Sequence, residues 1–146
     1  MTKHDHSVAF LVPGKPTGKG RPRAARRGKH ITLYTPEKTA AYESTVALAA
    51  SQAMNGQPLI AGPVDVIMHM VMPIPTSWSK RKQDEALAGT LMPTTKPDMD
   101  NVVKAVFDAV NGVVWNDDTQ VVGLQVLKRY GATPCVRVII GDAEVF

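Results

Sequence analysis

The sequence has a single cysteine, Cys135, among 146 residues. One thiol excludes an internal disulfide framework and any zinc site built on several cysteines, and a reducing cytoplasm is the expected location. Long apolar runs are missing too. No window approaches the roughly 18 unbroken apolar residues of a membrane span, and residues 1–10 lack the basic start and apolar stretch of a secretory signal. There is no internal repeat, linker or low-complexity tract. With 44% hydrophobic and 21% charged residues, the expectation is one soluble domain over residues 1–146, large enough to bury a core without covalent staples.

Acidic residues are absent from position 15 to position 29, where seven basic ones stand: Lys15, Lys19, Arg21, Arg23, Arg26, Arg27 and Lys29. Taking those seven from the net charge of +4 leaves the rest of the chain near −3, so the basic character is local. The acids concentrate elsewhere: Asp98, Asp100, Asp108, Asp117 and Asp118 fall within twenty-one residues. The modest overall charge conceals two centres of opposite sign.

Periodicity and punctuation outline the elements. Residues 8–12 read as a buried strand stopped by Pro13-Gly14. The Gly-, Pro- and Arg-rich stretch up to His30 reads as a loop, and residues 31–35 as a short strand. Thr35 is expected to cap a helix with Pro36 at its first position, running to about Met54 and stopped by Asn55-Gly56. Strict alternation from Pro63 to Met72 predicts a long strand with Val64, Val66, Met68, Met70 and Met72 on one face. A polar helix capped by Thr76 or Ser77 is expected to end near Ala88, and a second helix, capped by Asp100, to cover residues 101–110. A brief extended segment at 113–115, a turn at 116–118 and strands at 121–128 and 135–140 complete the order. Helices interrupt the strands without strict βαβ alternation. That pattern predicts an α/β chain of the α+β type, a mixed sheet with helices packed on it, rather than a doubly wound parallel fold.

Asp100, Lys104 and Asp108 are four apart on a helix and share a face. If the chain turns back after that helix, Asp117 and Asp118 can come beside its start, and three carboxylates from two segments suit a hard cation such as magnesium. Spacing alone equally accommodates a helix cap, a surface ion pair and a turn. A calcium loop is excluded, because Val103 stands where glycine is required and Ala109 where the bidentate glutamate belongs. A phosphate-binding P-loop is excluded as well: Gly14 and Gly18 are one residue too close, and Gly20 follows Lys19 where serine or threonine is needed.

Residues 96–121, Lys-Pro-Asp-Met-Asp-Asn-Val-Val-Lys-Ala-Val-Phe-Asp-Ala-Val-Asn-Gly-Val-Val-Trp-Asn-Asp-Asp-Thr-Gln-Val, closely resemble the signature of the RusA family of Holliday junction resolvases. That signature is D-x-D-N-x-x-K at a helix start, followed after a short strand by D-D-x-Q-V. The segment Gly14-Lys15-Pro16-x-x-Lys19-Gly20-Arg21-Pro22-Arg23 and Tyr34-Thr35-Pro36 resemble longer members, including those of phages and prophages. The resemblance implies a homodimeric, magnesium-dependent endodeoxyribonuclease, with manganese able to substitute, that nicks branched DNA, chiefly four-way junctions, in recombination and repair. It implies catalytic roles for Asp98, Asp100, Lys104 and Asp118, with the three aspartates as metal ligands and Asp117 in support. Asp108 is expected to be structural. DNA-backbone contact is expected from Lys15, Lys19, Arg21, Arg23, Arg26, Arg27 and Lys29. A less selective nuclease on other branched DNA, and a non-catalytic nucleic-acid-binding protein, are the alternatives. His4 and His6 are expected to lie in a frayed terminus, Phe107, Trp115 and Cys135 in the core, and His69 has no evident partner.

Overall fold

A computed structural model describes residues 6–20, 23–34 and 36–143. In chain order the elements are β1 (Ser7–Pro13), β2 (Arg23–Arg27), β3 (His30–Tyr34), α1 (Glu37–Met54), β4 (Val64–Met72), α2 (Lys80–Ala88), α3 (Met99–Val110), a 3-10 turn at Asp118–Gln120, β5 (Val121–Tyr130) and β6 (Cys135–Asp142). Four strands form one sheet in the order β1-β6-β4-β5, and β2 and β3 form a separate ribbon. β6 runs antiparallel to both β1 and β4, whereas β5 runs parallel to β4. The sheet is therefore mixed, as the element order predicted.

The alternation in β4 sets the layering. Val64, Val66, Met68, Met70 and Met72 are all buried and join Val46 and Ala50 of α1 and Val102, Val106 and Val110 of α3 in one core. The opposite face carries no helix-facing stripe: Leu11, Ile67, Leu127 and Ile139 are each about half exposed there. On this face His69 keeps Nε2 buried without a hydrogen-bond partner among the described residues. Cys135 is buried at the start of β6.

Helix boundaries depart from expectation in instructive ways. Pro36 is the N-cap of α1 rather than its first residue, and Thr35 lies outside the described residues. Asn55, with φ of 48°, closes that helix in the left-handed region, as Asn-Gly punctuation requires. Ser79, not Thr76 or Ser77, caps α2 by accepting a hydrogen bond from the Lys82 backbone. Asp98, not Asp100, is the N-cap of α3, so Asp100 falls in the first helical turn.

Two corrections concern the site more directly. The basic stretch up to His30 is not all loop: Arg23–Arg27 pairs with His30–Tyr34 as a hairpin turning at Gly28, whose φ is 62°. The segment 113–115 is a turn rather than a strand. Val113 and Val114 N–H donate back to the Val110 carbonyl, and Trp115 bridges to Asn111 and Ile60. Trp115 is fully buried, packs edge-on against Phe107 with ring centroids 5.2 Å apart, and donates its indole N–H to Asn111 Oδ1 at 2.6 Å. Removing that side chain would cost roughly 3–5 kcal/mol. The return from α3 is thereby pinned to the C-terminal end of the helix.

Candidate active site

After β1, residues 15–20 cross the N-terminal ends of both α1 and α3. The Lys19 N–H donates to the Asn101 carbonyl at 2.9 Å, and the Gly20 N–H to Thr39 Oγ1 at 2.9 Å. Close approach explains the glycine at position 18: a Cβ there would stand 3.1 Å from the Cβ of Asn101 and 3.3 Å from that of Pro97. The crossing leaves a cleft of about 720 Å³ whose lining includes Lys15, Lys38, Lys96, Asp98 and Asn101. The basic segment and the first motif aspartate thus meet in one place. Lys38 and Lys96 were not singled out as candidate DNA contacts by the sequence, although Lys96 opens the motif segment.

The far end of β5 braces this cleft. Lys128 Nζ donates to the carbonyls of Thr95 at 2.5 Å and Pro97 at 2.9 Å, fixing the chain just before Asp98. The Lys96-Pro97 peptide bond is cis.

The five clustered aspartates divide by what they do. Asp108 accepts from Lys104 Nζ at 3.0 Å and pairs with Lys19 Nζ at 3.1 Å. Burial opposes its charge, but the hydrogen bonds from Lys104 and Lys19 outweigh burial and hold its carboxyl below the usual carboxylate range. Asp117 closes a capping box with Gln120 and accepts from Thr119 Oγ1 at 3.0 Å. Both carboxylates are engaged by neighbouring groups of the fold, Asp108 pairing with Lys104 and Lys19 and Asp117 with its own turn. Asp98, Asp100 and Asp118, in contrast, have carboxylates that no hydrogen bond or ion pair engages among the described residues. Asp98 does not use its side chain to cap its own helix. Within this cluster of five aspartates, the three with free acceptor capacity are the three that the motif resemblance nominates.

They do not, however, converge within one chain. Asp98 and Asp100 open α3, whose twelve residues span about 18 Å. Asp118 follows the turn at its other end, where Gln120 Nε2 donates to the carbonyls of Ile60 and Gly62 and the Ile60 N–H donates to the Val114 carbonyl. The expected return of Asp117 and Asp118 to the helix start therefore does not occur. Among the described residues no three His, Cys, Asp or Glu side chains are gathered closely enough to hold one metal ion.

Lys104 lies on the same helix face as Asp108, mostly exposed, and bonds to it rather than to Asp100. Lys19, expected at the DNA, lines this cleft and is also engaged within the protein: its Nζ is 2.6 Å from Glu43 Oε2 besides its contact with Asp108. Burial alone would lower its pKa, but the bonds to Glu43 and Asp108 win and the pKa is raised. Beneath the crossing segment, burial pushes the Tyr42 hydroxyl up to about 12, so it stays neutral near physiological pH. Arg21 lies outside the described residues. Arg23, Arg26 and Arg27 stand on β2, with Lys29 in its turn, and Ile31 and Leu33 of the paired strand are 70% and 69% exposed. His4 lies outside the described residues, while His6 pairs with Asp142 at 3.3 Å.

The family model for "Endodeoxyribonuclease RusA" matches residues 13–141. The chain belongs to the RusA family. It is also 44% identical over 139 residues to the uncharacterized protein YqaN of Bacillus subtilis (strain 168), a match covering 94% of this chain and 97% of that protein. RusA-family members are endodeoxyribonucleases of branched DNA junctions, and the match spans both motif segments, β1's end, the crossing segment and the whole of α3. No helix among the described residues is long and apolar enough to cross a membrane.

Proposed function

We propose that this chain is a magnesium-dependent endodeoxyribonuclease that resolves four-way DNA junctions by paired, symmetric nicks in recombination and repair, acting as a homodimer. The observation that carries the reading is the division among the aspartates: Asp98, Asp100 and Asp118 keep free carboxylates while their neighbours Asp108 and Asp117 are committed to the fold.

An all-carboxylate donor set fits a hard divalent cation. When bound, magnesium, or manganese in its place, supplies a water of lowered pKa and Lewis-acid neutralisation of the scissile phosphate. Asp98 and Asp100 belong to one end of the molecule and Asp118 to the other, so all three can serve one ion only if Asp118 comes from a second copy. That arrangement produces two equivalent sites per dimer, the number that symmetric resolution of a junction requires.

The remaining residues position the DNA. Lys15, Lys38 and Lys96 bring cationic charge to the cleft that holds Asp98 and suit a phosphate backbone. Lys104, paired with Asp108, can hold the phosphate oxygens as charge builds on them. Arg26 and Lys29 on the hairpin extend the basic surface.

The reading is tested with Asp100→Asn. The variant should bind a four-way junction at least as tightly as the parent, because a repelling charge is gone. Magnesium-dependent cleavage should fall by roughly 100-fold or more, the scale of losing one group that stabilises the transition state. Unchanged cleavage would remove Asp100 from the site. Equal cutting of forks or flaps would favour a less selective branched-DNA nuclease.

A further inference from the structure

The hairpin of β2 and β3 stands apart from the layers that make the core. Neither strand joins the four-stranded sheet, and no described residue of the hairpin belongs to the core. Its two legs meet at the base. Gly20, before β2, lies so close to Pro36, after β3, that a Cβ on the glycine would stand 3.0 Å from the Pro36 Cγ. Gly20 and Pro36 line the same cleft as Lys96, Pro97 and Asp98, so the hairpin is rooted at the candidate site. Five residues in each strand give it a reach of roughly 17 Å.

The strand register sets Leu33 opposite Ala24 and Ile31 opposite Arg26, so these four residues share one face of the ribbon. Ile31 and Leu33, 70% and 69% exposed, are the two most exposed large apolar side chains among the described residues. Single exposed aliphatics are ordinary, but these two adjoin each other on a ribbon whose charge is all of one sign. No acidic residue occurs from position 15 to position 36, and Arg26 and Lys29 are exposed beside the pair. That combination repels a second cationic ribbon and attracts a polyanion. Ile31 and Leu33 have no hydrogen-bonding atoms in their side chains, so they can read neither phosphates nor the polar edges of bases. What they can cover is a base face.

We infer that Ile31 and Leu33 form an apolar wedge that enters the branch point of the DNA and packs on the bases exposed there, while Arg26 and Lys29 hold the flanking phosphates. The inference rests on the branched-DNA reading and names the element that selects the substrate. In an unbroken duplex every base face is covered by its neighbours, and an aliphatic wedge must force a step apart before it gains any contact. At a branch point the stack is already interrupted, so the unstacking penalty is smallest there. The wedge therefore favours a branched substrate over a duplex without reading sequence, and its root at the Asp98 cleft sets the carboxylates beside the strands that leave the branch.

The test uses a four-way junction carrying 2-aminopurine beside the branch point, a base whose fluorescence rises when it unstacks, with EDTA present to prevent cleavage. Binding of the parent chain should brighten the probe. The double variant Ile31→Thr, Leu33→Thr keeps strand-forming residues and the same charge. It should abolish the brightening and weaken junction binding by roughly 10-fold or more, with duplex affinity and the salt slope unchanged. Ile31→Phe, Leu33→Phe should restore the brightening, because a ring fills the same apolar role. Arg26→Gln should do the reverse of the threonine pair, shrinking the salt slope while the saturated complex stays bright. Brightening that survives both threonines, an equal loss of affinity for junction and duplex, or phenylalanines that stay dark would overturn the wedge. So would a threonine pair that alters only the mass in light scattering, which would give this face to self-association. A parent that prefers junctions without brightening the probe sinks the wedge and leaves the branched-DNA reading standing; a parent that binds junctions no tighter than duplex sinks both.

Discussion

Lys128 Nζ donates to the carbonyl oxygen of Pro97 at 2.9 Å, tying the end of β5 to the residue before Asp98. With the companion bond to Thr95, this is what fixes the entry into α3. Lys128→Met keeps the aliphatic stem but loses both charge-assisted bonds. Global stability should fall by only about 1–2 kcal/mol, read by urea unfolding. Metal affinity should weaken by roughly 10-fold or more, as when a group supporting a metal ligand is removed, read by titration calorimetry with Mn²⁺. Unaltered metal binding would make the brace purely structural.

The Lys19 ion pairs tie the crossing segment to α1 and α3. Its side chain is partly buried between Glu43 and Asp108, so Lys19→Met should destabilise the protein by about 1–3 kcal/mol, chiefly by leaving Glu43 unpaired and Asp108 with Lys104 alone. A double-mutant cycle with Asp108→Asn should give a favourable coupling of about 1 kcal/mol. Zero coupling would mean that the pair contributes nothing.

The same cluster sets a pH dependence. Asp108 is held below its ordinary pKa in the folded state, so its contribution is complete above the unfolded value, about 3.9, and is lost as pH falls through the lower folded value. Lys19 is shifted upward; its contribution is complete below its unfolded value, about 10.4, and is lost as pH rises through the higher folded one. Urea unfolding across pH should therefore show Asp108→Asn flattening the acid limb and Lys19→Met the alkaline limb. Parallel curves for parent and variants would contradict the pairing.

Cleft lysines and hairpin cations should behave differently from Lys19 in DNA binding. Neutralising Lys15, Lys38 and Lys96 together should weaken junction binding. The slope of log affinity against log salt should shrink by about 0.9 for each phosphate no longer neutralised, or about 0.7 where that strand is single. Arg26→Gln should act in the same direction. A slope unchanged in the triple variant would take the cleft out of the DNA path.

Much of this architecture is legible in the sequence because it follows from short-range rules. Alternation marks β4 and its core face, Asn55-Gly56 marks the end of α1, and the motif spacing picks out the aspartates. Three features were not legible. The first strand of the hairpin, Arg23–Arg27, has no alternating apolar stripe, since it is held by its pairing with β3. The cap shifted from Asp100 to Asp98 because the two candidates are the same residue type two positions apart, so cap preference does not separate them. The course of residues 111–120 depends on Trp115 being buried against Phe107 and bonded to Asn111, a tertiary choice that keeps Asp118 at the far end of α3. The neutralised commitment of Lys19 is of the same kind: it needs Glu43, twenty-four residues away in the chain.

The separation of Asp98 and Asp100 at one end of α3 from Asp118 at the other makes the central claim directly measurable. Asp100→Asn and Asp118→Asn chains are each expected to be inactive alone. Mixed under conditions that exchange subunits, they form hybrid dimers in which one site carries both substitutions and the other carries neither. The expected result is the return of single-strand nicking at about one quarter of the parental site concentration for an equal mixture. No recovery, with hybrid dimers confirmed by mass, would contradict a site shared between two chains.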